Sequence, residues 1–165
     1  MNSADKVLIQ GIGNPLRSDD ALGPMLIERL EVSPLVGTPA KLQVNLEWVY
    51  QLQIENAEQW THFDAVILID AHATQTEPVK WKELKAPQAS PGSAESELPG
   101  QFASHALDPI SILCLAAKCY QAIPRVYLLS ISGRSFEMGT ELSGDAQNAL
   151  AVAEQFLLSK LNGNL

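Results

Sequence analysis

Three carboxylates and one imidazole occupy positions in this chain where chemistry is readily built. Asp19 and Asp20 follow the glycine-containing segment GIGNPLRS, Gly11 to Ser18, and Asp70 ends the apolar run AVILID, Ala65 to Asp70. His105 closes a stretch rich in Pro, Ser, Gly and Ala that runs from Ala86 to Ser104. Acids at strand-to-helix crossovers lie at the edge where α/β proteins place their sites. Acids at a helix start are also favoured by capping and by the helix dipole, so one of Asp19 and Asp20 is expected to be a cap. A histidine that closes a loop and opens a helix is poorly placed for core packing and well placed for ligation or proton transfer. Two carboxylates and one imidazole from three separate crossovers have the makings of an open metal site.

Other chemistries fit less well. A dinucleotide loop of the form G-x-G-x-x-G would need glycine where Leu16 stands, and two adjacent acids would repel a pyrophosphate. Ser18 and Ser104 lack the G-x-S-x-G setting of a hydrolase elbow, and the H-E-x-x-H pattern of zinc proteases is missing. His72 is expected to be a solvated loop residue, His62 to be exposed in a polar turn, and Glu95 and Glu97 to be solvated loop surface.

The elements that must position these groups alternate between strand and helix. Val7 to Ile9 reads as a buried strand, Gly11 and Gly13 as the turn after it, and Gly23 to Glu31 as a helix. A link from Ser33 to Pro39 leads to an alternating strand, Leu42 to Val49. YQLQIENAEQW reads as a short helix ending near Trp60. Ala65 to Asp70 has the continuous aliphatic character of a parallel strand covered on both faces. VKWKELK, Val79 to Lys85, reads as an edge strand protected by its lysines. Ala106 to Tyr120 reads as an apolar helix, Val126 to Gly133 as a strand, and Ser143 to Leu161 as the last helix. This order predicts an α/β fold: a three-layer α/β/α sandwich around a mostly parallel, twisted sheet of about five strands.

A chain of 165 residues, 46% hydrophobic, suffices for one compact domain, expected to span 1–165. The net charge of −8 leaves no basic patch for nucleic acid or an anionic membrane surface. The opening MNSADK lacks an apolar core and no apolar run approaches a bilayer span, so a cytoplasmic protein is expected. Cys114 and Cys119, five residues apart on a helix, are badly placed to pair and are expected to be small buried apolar side chains.

GIGNPLRSDDALGP, ILIDA at Asp70, SHAL at His105, and the later YLLSISG and GTELSG together resemble the hydrogenase maturation endopeptidase family. That resemblance implies a protease that removes the C-terminal extension of a nickel–iron hydrogenase large-subunit precursor after nickel insertion. It places the family's metal-binding acid on Asp20, its strand-end aspartate on Asp70 and its loop histidine on His105; Asp19 is then a base or a cap, and a cap is the preferred expectation. It implies nickel presented by the substrate, with zinc or cadmium able to occupy the site in vitro, and a monomeric enzyme. The segment NLEWVYQLQIENA departs from the glycine-rich turn of many members, with Ile54 where a variant form has proline. The competing expectations are a non-enzymatic assembly factor and a general metallohydrolase of small amides, which would need a closed pocket rather than a groove.

Overall fold

The computed structural model describes residues 5–32, 42–86 and 107–163. β1 (Asp5–Ile12), β2 (Leu42–Val49), β3 (Ala65–His72), β4 (Val79–Leu84) and β5 (Arg125–Ser132) form one sheet. Its order is β2-β1-β3-β5-β4. All pairings are parallel except β4 with β5, which is antiparallel. The central strands β1 and β3 carry the aliphatic runs, and Val66 to Ile69 are fully buried. Covering a sheet on both faces demands such runs, each side chain contributing roughly 1.5–3 kcal/mol of burial.

Among the described residues, four helices supply the two covers: α1 (Leu22–Val32), α2 (Asn56–Trp60), α3 (Pro109–Leu115) and α4 (Gly144–Asn162). Side chains alternate along a strand, so odd- and even-numbered residues of β3 serve opposite layers. Ile67 and Ile69 pack with Leu26 and Ile27 of α1 and with Leu150 and Leu157 of α4. Val66 and Leu68 pack with Trp60 of α2 and with Ile112 and Leu113 of α3. The expected three-layer α/β/α sandwich around a five-stranded sheet is what the chain forms.

Several local expectations are corrected. Gly11 lies within β1 rather than in the turn; a Cβ there would come 2.5 Å from the Gly23 carbonyl oxygen, so the residue permits close approach of α1. Residues 50–55 are irregular, and helix begins only at Asn56, whose side-chain oxygen accepts the Gln53 amide at 2.7 Å. The apolar helix begins at Pro109 behind the cap Asp108, which accepts the Ile110 and Ser111 amides at 2.9 and 3.1 Å. It then widens into a π turn at Ala116–Tyr120. Cys119 in that turn is exposed and Cys114 in α3 is half-buried, so the two cysteines are unpaired as expected but are not both buried.

Candidate functional site

β1 leads outward to β2 on one side and to β3 on the other, so the sheet changes direction between β1 and β3. Open α/β sheets place ligands in the crevice at that switch point, beyond the carboxyl ends of the strands. Asp20 follows β1 and Asp70 lies near the end of β3, which brings both to this crevice.

The Asp20 turn is built around Gly13, which has φ of +143°. A Cβ at Gly13 would fall 1.9 Å from the Asp20 carbonyl oxygen, so only glycine fits. The Gly13 amide donates to the Val49 carbonyl at 3.0 Å, and the Asn14 amide donates to Asp20 Oδ2 at 2.9 Å. Asp19 and Asp20 then lie in a single 3-10 turn, Ser18–Ala21, ahead of α1.

Asp19 is not the helix cap that was expected. It is fully buried and caps nothing in its own turn. Its carboxylate accepts the amides of Arg134 and Ser135 at 2.6 and 2.9 Å, the Ser143 amide at 2.8 Å and the Ser143 hydroxyl at 2.7 Å. Burial pushes its carboxyl up, but these hydrogen bonds outweigh that and hold it below the usual carboxylate range. The backbone repeats the connection: the Ser18 amide donates to the Gly139 carbonyl, the Gly139 amide to Leu16 and the Asp19 amide to Ser135, at 2.8–2.9 Å. Asp19 thus fastens the turn carrying Asp20 to the loop between β5 and α4.

Asp70 is half-buried at the register position opposite Ser130. Burial raises its carboxyl, the Ala71 amide opposes this, and the charge of Asp20 raises it further, to about 6. Asp20 and Asp70 therefore sense each other across the crevice. Two interacting carboxylates in a partly dry site can hold a cation between them or share a proton. The third expected ligand, His105, lies outside the described residues, as do Ser104, Glu95 and Glu97. Among the described residues, no group of three His, Cys, Asp or Glu side chains is arranged to hold a metal. His72 is exposed, as is His62, but His72 is the last residue of β3 rather than part of a loop.

A second polar group escaped the sequence analysis. Gln10, fully buried in β1, donates through Nε2 to Glu47, while Gln59 Nε2 donates to both Glu47 oxygens at 2.8 and 3.0 Å. Trp60 Nε1 donates to Gln10 Oε1 at 3.3 Å. This network fixes α2 against β1 and β2. An open groove of about 410 Å3 lies over the segment between β2 and α2, lined by Trp48, Tyr50, Gln53 and Glu55 among others. The signal available in sequence was a glutamine inside an otherwise apolar strand.

With this geometry in view, the fold can be placed among solved structures. A hydrogenase maturation protease, HycI, from Thermococcus kodakarensis is similar with a TM-score of 0.64 and 19% identity, over 97% of this chain and 94% of that one. The hydrogenase maturating endopeptidase HybD from Escherichia coli is similar with a TM-score of 0.63 and 19% identity, over 96% and 93%. A hydrogenase 2 maturation peptidase from a Thaumarchaeota archaeon gives 0.60 and 20%, over 93% and 96%. No family model matches the chain, and no curated protein matches it in sequence. The chain has the fold that these peptidases share.

Proposed function

We propose that this chain is an endopeptidase that removes the C-terminal extension of a nickel–iron hydrogenase large-subunit precursor once nickel has been inserted. The observation that carries the proposal is the pair Asp20 and Asp70 at the switch point of this fold. The likeness to three maturation peptidases over at least 93% of both chains supports it. The open groove at the end of β2, where the Val49 carbonyl accepts the Gly13 amide, suits an extended peptide better than a small amide, which favours a protease over a general amide metallohydrolase.

Nickel enters as part of the substrate, and Asp20, Asp70 and His105 are its proposed ligands. The donor chemistry at the two described positions fits: oxygen ligands suit a hard or borderline divalent ion, and the mutual repulsion of two carboxylates is relieved by a cation. A nickel ion held by the precursor would mark a completed subunit and give its tail a fixed point. Asp20 is oriented by the Asn14 amide, and Asp19 keeps its turn in place. Asp70, titrating near pH 6, is ionised and able to ligate at neutral pH.

The test mixes purified protein with nickel-loaded precursor and measures the product mass. A shortened precursor with wild type, and intact precursor with Asp20→Asn, Asp70→Asn and His105→Ala, is the expected outcome. An intact precursor in a stable complex with wild type would identify an assembly factor instead.

A further inference from the structure

On the far side of Asp70 from the Asp20 turn, the sheet carries a second open pocket, of about 550 Å3. Its lining includes Ser130 of β5, Lys80 and Lys82 of β4, His72 of β3, and Gln75 and the acid Glu77 from the β3–β4 connection. Register ties it to the site. Asp70 pairs with Ser130, and Ser130 pairs with Lys80, so the three residues form one row across β3, β5 and β4. Paired residues share a face of a sheet and neighbouring strands lie ~4.8 Å apart, which sets the Lys80 and Asp70 backbones ~10 Å apart.

Protecting an edge strand would account for lysines anywhere on β4, but their phase is specific. Val79 and Trp81 pack into the layer of α1 and α4, and Leu84 packs into the opposite layer. Lys80 and Lys82 alternate with the former and share the face of Leu84, which is also the face of Asp70. Lys80 pairs at 3.3 Å with Glu77, an exposed contact, whereas Lys82 has no ion-pair partner among the described residues. In a chain of net charge −8, cations beside an acidic site stand out.

Gln75 adds a second, independent polar feature to this pocket. It is 4% exposed, and its Nε2 donates to the carbonyls of Glu77, Pro78 and Ser130. Those three acceptors fix the amide orientation, yet Oε1 is buried with no partner among the described residues. An unpaired buried acceptor is unfavourable, so a small shift of Gln75 that brought Oε1 to a backbone N–H of a bound peptide would be favoured.

Resting on the proposed protease function, we propose that this pocket binds a carboxylate of the departing C-terminal segment. With ~3.3 Å per extended residue, the carboxylate would lie about three residues beyond the bond that is cut. Its source is either an acidic side chain or the free chain terminus, and Lys82, with Lys80, supplies the countercharge.

Amide NMR shifts of the full-length protein test this with four probe peptides. They are acetyl-Ala-Ala-Asp-Ala-amide, acetyl-Ala-Ala-Asn-Ala as the free acid, acetyl-Ala-Ala-Asp-Ala as the free acid, and the neutral Asn amide. The carboxylate probes should shift the Lys80, Lys82 and Ser130 signals and the neutral one should not. Which singly charged probe binds better identifies the source. Lys80→Gln with Lys82→Gln should weaken probe binding roughly fivefold and raise KM for the precursor similarly with kcat retained. Equal shifts from neutral and charged probes, or an unchanged KM, would overturn the assignment while leaving the protease reading standing. Pocket shifts from the charged probes alone, with a precursor that wild type never cuts, would retain the carboxylate site and sink the protease reading.

Discussion

The carboxylate of Asp19 receives two amides from the loop after β5, together with the amide and hydroxyl of Ser143. Its folded pKa lies below the ordinary 3.8, so the stability it contributes is present above pH 3.8 and lost as pH falls through the folded value. Asp19→Asn puts an amide N–H2 among donors and should cost about 3 kcal/mol at neutral pH, well beyond a helix cap. Urea denaturation across pH checks this, since the deficit should shrink below pH 3.8. Asp70 has the opposite sign. Its folded pKa is raised from 3.8 to about 6, so its contribution is complete below 3.8 and is lost as pH rises through 6. At neutral pH the ionised group weakens the fold by up to about 3 kcal/mol. Asp70→Asn should therefore raise Tm at pH 7.5, leave it unchanged at pH 3.5, and abolish cleavage. A lower Tm at pH 7.5 would refute the claim that burial and Asp20 strain this carboxyl.

At the scale of elements, the Gly13 turn is where backbone geometry and site meet. Gly13→Ala adds a Cβ 1.9 Å from the Asp20 carbonyl oxygen at a φ of +143°. It should lose at least about 2 kcal/mol and most of the activity together. Gly144→Ala is the matched control, because a Cβ there meets nothing within 4 Å. It should be neutral or stabilising by about 0.5 kcal/mol, with full activity, as read from urea midpoints and cleavage rates. The sheet and its layers were legible because β1 and β3 carry uninterrupted aliphatic runs, and α4 carries a spaced apolar face behind Ser143. Asp20 was legible because it sits at a strand-to-helix junction, and Asp70 because it closes an apolar run, although β3 continues to His72 and leads into β4 rather than into a helix. The role of Asp19 was not, since its partners lie more than a hundred positions away and no local pattern records them. The solvent exposure of Cys119 was hidden for a related reason: a π turn shifts the helix phase, and periodicity assumes an even one.

At the scale of the molecule, a sheet that reverses direction between β1 and β3 presents two acids at its crevice. A groove lies on one flank and a lysine-bearing pocket on the other. Among the described residues no helix is long and apolar enough to cross a membrane. Such an edge is suited to a peptide laid across it, and in the proposed function the metal is part of what is recognised. On the proposed ligand set of two carboxylates and one imidazole, the isolated protein should bind free nickel weakly, with the remaining coordination left to the precursor. The most direct measurement compares product masses after the same metal-stripped protein meets nickel-free and nickel-loaded precursor. A shortened product is expected only from the loaded form. No rescue is expected when free nickel is added to a precursor that cannot load the ion. Equal shortening of both forms would contradict a recognition role for the metal.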